Sequence, residues 1–168
     1  MPPPPAIQEA ALVVITELLR SKVELIGDEE RARPLALAGT SLACVHAKAI
    51  LKLVVSSANI RVRTAAVCVA DLIARQGVVD PGLTVPALTA MLVTPPPNSV
   101  KAYGTLSYVL EKYPGSLGPR LAEGIALSYS VQAPKVPQSV ARAVLWPGSS
   151  EGATPHTLVG RLLSLVKG

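Results

Sequence analysis

Phenylalanine is absent from this chain, and aromatic residues of all kinds make up only 3% of it. A core without aromatics has to be filled by Leu, Val, Ile and Ala, the main stock of an apolar fraction of 49%. The mean hydropathy is correspondingly high, at +0.42. Helices packed through small side chains suit that inventory better than an aromatic-centred sandwich. Cysteine is nearly as scarce. Cys44 and Cys68 have no partner spacing, and a zinc site takes about four ligands, so neither a disulfide nor a metal is expected. Both are read as free thiols buried in helices, where Cys behaves as a small hydrophobe. Histidine is limited to His46 and His156. No nucleophile and acid lie near either one in sequence, His46 has no ligand a turn away, and it reads as a surface residue. Glycine-rich phosphate loops are missing too. The GSSEG stretch at 148–152 has no Lys-Ser/Thr after it and reads as linker. These absences predict a protein that is not an enzyme and uses no cofactor, metal or small-molecule substrate.

Two further absences bear on location and charge. No run of about 18 uninterrupted apolar residues occurs, so no membrane span is expected. Met1 followed by Pro2 to Pro5 has neither the basic start and apolar middle of a signal peptide nor the arginines of a transit peptide. An intracellular protein is expected. Acids are missing altogether between Glu30 and Asp71, where Arg31, Arg33, Lys48, Lys52, Arg61 and Arg63 all fall. The whole chain carries a net charge of +5 and has a pI near 9.5. Gathered on one face, the basic residues would attract phosphate or an acidic protein. Dispersed around three helices, they are ordinary solvated charge.

What the chain does contain is helix and punctuation. The first helix is expected over 6–26, with Ile7, Ala11, Val14, Ile15, Leu18 and Leu25 on one side, Pro-rich disordered residues 1–5 before it and Gly27 as C-cap. Asp28 to Arg33 reads as a surface linker ending at Pro34. A second helix follows from Leu35 to Val55 with Leu42, Val45, Ala49 and Leu53 inward. The third spans Ile60 to Gln76 behind an Asn59 cap, with Val62, Ala66, Val69 and Ile73 inward. Its second stripe holds Arg61, Thr64, Cys68, Asp71 and Arg75, and Asp71 and Arg75 are four apart and can pair. Gly77 ends it. Asp80-Pro81 is a cap-then-proline start for a fourth helix that runs to Val93 and is bent at Pro86. Pro95 to Pro97 break the chain before a fifth helix, Asn98 to Tyr113, with Tyr103, Leu106 and Leu110 inward. Tyr103, Tyr108, Tyr113 and Tyr129 read as core or interface residues. A sixth helix is expected from Pro119 to Gln132, a short one over 139–145, a linker over 146–154, and a last helix over 155–168 of the same array.

Helices three and five can be overlaid. Val62 matches Val100, Arg63 matches Lys101, Leu72 matches Leu110 and Gly77 matches Gly115, an offset of 38 residues. That period with paired helices lies near the HEAT and armadillo range, where each pair hides its apolar stripe against the next. The expected fold is all-α, a HEAT-like stack of about six to eight helices forming a fragment of an α-solenoid. On residues alone this is a binding scaffold, and a generic HEAT or armadillo adaptor for a peptide or helical partner in transport or signalling fits it.

A sharper comparison runs from Arg75 to Gln132. Arg75-Gln76-Gly77, then Val85-Pro86, Lys112-Tyr113, and Gly124 with Ser128-Tyr129, Val131 and Gln132 occur in an order and spacing that resemble the C-terminal HEAT region of the Nipped-B family of cohesin loaders. The chain departs from that pattern between Lys101 and Leu110, where polar residues are fewer, and at Ala126, where the family has a lysine. The resemblance implies a non-catalytic HEAT-repeat scaffold in the nucleus that binds cohesin subunits, and DNA with them, and promotes cohesin loading on chromatin. The chain is far shorter than a full loader, which implies a terminal piece of such an array. Lys48, Lys52, Arg61, Arg63, Arg75, Lys101 and Lys112 are the candidate contacts for a partner or nucleic acid.

Overall fold

The computed structural model describes residues 3–24, 29–115, 117–132 and 162. The chain divides into two compact units, Met1–Thr84 and Val85–Gly168. Among the described residues, six helices make up an all-α fold consistent with a helical-repeat fragment, and no strand occurs. The helices and linker expected beyond residue 132 lie outside the described residues, apart from buried Leu162.

The first unit holds α1 (Pro5–Glu24), α2 (Glu29–Ser56) and α3 (Ile60–Arg75), and each packs on the other two. Proline opens α1 because its missing N–H costs nothing in a first turn. The carbonyl of Pro4 accepts from the amides of Ile7 and Gln8 at 3.0 and 3.1 Å. Leu12, Ile15, Thr16 and Leu19 are the buried side of this helix. That corrects the sequence expectation. Ile15 is buried as expected, but Ile7, Ala11 and Val14 are exposed.

Helix α2 differs from expectation twice. It begins at Glu29 and carries Pro34 inside, so the segment 29–33 read as linker is helical. In the second turn a proline removes only one backbone bond, and the stretch on either side continues the helix. Its buried face is Ala43, Ala47, Ile50, Leu51 and Val54, while Leu42, Val45 and Ala49 are exposed and Leu53 half-buried. The reason is close approach. A Cβ placed on Gly39 would stand 2.9 Å from Leu18 Cβ and 3.0 Å from the Leu18 carbonyl carbon, so the small-residue stripe seats against α1. Cys44, on the same helix, is exposed and not buried, whereas Cys68 is half-buried, and both are free. The Leu37–Ser56 part of α2 is, by length and composition, long and apolar enough to cross a membrane, although only a third of it is buried. It carries His46, Lys48 and Lys52, all exposed.

Helix α3 follows its pattern. Asn59 Oδ1 accepts from the amides of Arg61 and Val62 at 2.9 and 3.4 Å, supplying an N-cap. Val62, Ala66, Val69 and Ile73 are fully buried. At the other end Gly77 takes φ +65°, and the Val78 amide reaches back to the Ile73 carbonyl at 3.0 Å, the closure that a left-handed residue allows.

Helix α4 (Pro81–Met91) opens in the first unit and continues into the second, where α5 (Asn98–Lys112) and α6 (Gly118–Gln132) follow. Asp80 Oδ1 accepts from the Gly82 amide at 3.1 Å. Val85 through Leu92 are buried without a break, so this stretch is enclosed on all sides, while Leu83 in the first turn of α4 is exposed. Its buried threonines satisfy themselves along their own helix. Thr89 Oγ1 donates to the Val85 carbonyl at 2.8 Å, a bond that spares the core an orphan hydroxyl. In α5, Leu106 is fully buried as expected, while Tyr103 and Leu110 are half-buried.

Candidate partner-binding surface

The basic residues of the first unit divide by what holds them. Lys48 and Lys52 stand one turn apart on α2, exposed, and by helical register lie opposite its Ala43–Ala47 seam. Arg61, in the first turn of α3, is exposed too. Arg63 is turned to a local task. One Nη donates to the Ser57 carbonyl, its Nε is buried with no partner, and desolvation lowers its pKa. That guanidinium fastens the α2–α3 turn and stays charged at neutral pH. Arg75 Nε meets Asp71 Oδ1, the i,i+4 pair expected from spacing. In the second unit Lys101 is half-buried and Lys112 exposed. Lys112 Nζ lies 5.7 Å from the ring centroids of both Tyr108 and Tyr113, within cation–π reach.

Half of the motif residues that carry the family resemblance sit at helix ends. Gln76 follows the last residue of α3, and its Nε2 donates to the Leu19 carbonyl of α1 at 2.9 Å; its Oε1 is buried and unpartnered. Gly77 makes the helix-ending turn. Val85 and Pro86 are buried in α4, and Gly124 of α6 comes against Pro86 and Thr89. A Cβ on Gly124 would lie 2.8 Å from the Pro86 carbonyl oxygen and 2.4 Å from Thr89 Cβ. One turn on, Ser128 is fully buried and donates to the Ile125 carbonyl at 2.6 Å. Glycine fits this α4–α6 approach because any side chain there would meet the Pro86 carbonyl and the Thr89 side chain. Tyr113 is half-buried beside Lys112, Val131 is half-buried, and Tyr129 is exposed. Gln132 is the last residue of α6, and its side chain lies outside the described residues.

Two groupings are not evident in the sequence, where Tyr108 reads only as a core or interface residue. Tyr108 joins the Lys112–Tyr113 pair because it lies one turn back on α5, a spacing that could have marked it. An open groove of 380 Å³ lies between α1 and α3, lined by Glu9, Ile60, Arg61, Thr64, Ala65 and Cys68. Arg61, Thr64 and Cys68 were one polar stripe by spacing; that α1 supplies the opposite wall needed the tertiary structure. Among the described residues, no group of three or more His, Cys, Asp or Glu is placed to hold a metal ion.

Residues 39–168, more than half of the chain, match the family model Nipped-B_C, described as sister chromatid cohesion C-terminus. Neither the curated proteins nor the solved structures yield a match.

Proposed function

Since the chain belongs to the sister chromatid cohesion C-terminus family, a family tied to the cohesin pathway, we propose that it is a non-catalytic, HEAT-type scaffold of the cohesin-loader kind. It grips cohesin subunits, with DNA as a second ligand, and promotes cohesin loading on chromatin in the nucleus. The family match over residues 39–168 carries this reading. The helical fold supports it, as do motif residues spent on helix ends and a close crossing, which is how a repeat array keeps its shape. Work on the ring and on DNA is then done by outward side chains. Lys48, Lys52 and Arg61 are exposed cations of the first unit that suit phosphate.

Affinity purification from nuclear extract tests the protein partner, and recovery of cohesin subunits is the expected result. A DNA mobility shift that weakens with salt tests the second ligand, since phosphate contacts release counterions. Lys48→Glu with Lys52→Glu should lower the slope of log affinity against log salt by about one for each lysine in contact. Absence of both cohesin capture and a DNA shift at low salt would sink the reading.

A further inference from the structure

We infer that the groove between α1 and α3 is a docking site for a partner-protein segment in which a large aliphatic side chain follows a carboxylate. Three observations converge there. The groove is open, and at 380 Å³ it is at the small end of ligand sites, large enough for one or two side chains and too small for a folded domain. Its lining is mostly apolar on the α3 side. Ala65 and Cys68 are half-buried, and Ile60, which also lines it, is a large aliphatic residue 61% exposed. Its walls are charged with opposite signs. Arg61 is on α3 and Glu9 on α1, and neither side chain has an ion-pair or hydrogen-bond partner among the described residues.

The charges decide the occupant. Arg61 offers a guanidinium fork that a carboxylate meets with two bonds, and it is held on the rigid first turn of a capped helix. Glu9 repels a second acid and favours a base, so the segment runs acid, aliphatic, base from the α3 wall to the α1 wall. Ile60, Ala65 and Cys68 then cover the aliphatic side chain. One wall, with Glu9, lies outside residues 39–168, and the other lies inside them. The specificity therefore belongs to this chain and not to the matched region alone. This inference rests on the scaffold reading only in taking the occupant to be another protein.

The two cysteines report on it directly. Cys68 lines the groove, while Cys44 is exposed on α2 and serves as an internal control. The full chain is treated with iodoacetamide, with and without a capped Glu-Leu-Ala-Leu-Lys peptide at millimolar concentration, and alkylation at each cysteine is timed by mass spectrometry. The expected result is a several-fold slowing at Cys68 with no change at Cys44. A Glu-Ala-Ala-Ala-Lys peptide should give no protection, and Arg61→Glu should abolish the protection given by the leucine peptide. Equal slowing at both cysteines, no slowing at Cys68, or protection that survives Arg61→Glu would each overturn the proposal. The readout needs no cohesin, and cohesin capture by the wild-type chain needs no peptide, so the two readings fail separately.

Discussion

Helices α2 and α3 are neighbours in the first unit, yet they bury their apolar residues under different rules. Helix α3 has one apolar stripe, bounded by Arg61, Thr64, Asp71 and Arg75, so there is a single way to turn it inward. Helix α2 has two. Over residues 39–49, the bulkier runs through Leu42, Val45 and Ala49 and remains exposed, with Val45 at 77%; the smaller runs through Gly39, Ala43 and Ala47, is buried, and leads into buried Ile50 and Val54. Within those residues, hydropathy favours the bulkier stripe. Contact favours the smaller, because side chains that barely project let two backbones approach and multiply the short-range contacts. Where one stripe exists, burial can be read from composition. Where two compete, shape decides.

Substitutions separate these rules. Ile73→Ala, in the single buried stripe of α3, should have the largest effect, a loss of about 2–5 kcal/mol from an unfilled cavity, read from a denaturant midpoint. Gly39→Val comes next. Its side chain would meet Leu18 backbone that cannot yield without moving α1, and overpacking of this kind costs about 1–3 kcal/mol; a lower thermal midpoint with unchanged helical content is the expected observation. Asn59→Ala removes the cap that holds the Arg61 and Val62 amides and should cost about 1 kcal/mol, seen as earlier exchange of those amides. Val45→Ser should change stability by no more than about 0.5 kcal/mol. A loss as large as that of Ile73→Ala would mean that the bulkier stripe of α2 is covered after all, and the contrast would collapse.

The joints of the fold were legible because their chemistry is short-range. Asn59, Gly77 and the Asp80-Pro81 pair act within four residues of themselves, and each does in the structure what its type and position require. Pro34 is the instructive exception. A proline normally marks a boundary, but its cost near a helix start is one backbone bond, and packing of the helix beyond it is worth more. The candidate surface was only partly legible. Lys48, Lys52 and Arg61 could be named from an acid-free stretch, but nothing local distinguishes them from Arg63, which the α2–α3 turn consumes. The family motif was legible as a pattern, yet its physical content was hidden. Gly124 and Pro86 are 38 residues apart and matter because they touch.

From its sequence alone this protein was bound to be helical, to break where proline and glycine break it, and to belong among the cohesion proteins. Those properties follow from backbone freedom, capping and residue order, all of them local or linear. Which side of α1 and α2 turns inward, which cations remain free, and where an acid and a base face each other across a mostly apolar lining were settled only in three dimensions. Such outcomes depend on how near two helices can come, and that distance is a property of the pair, carried by neither helix alone.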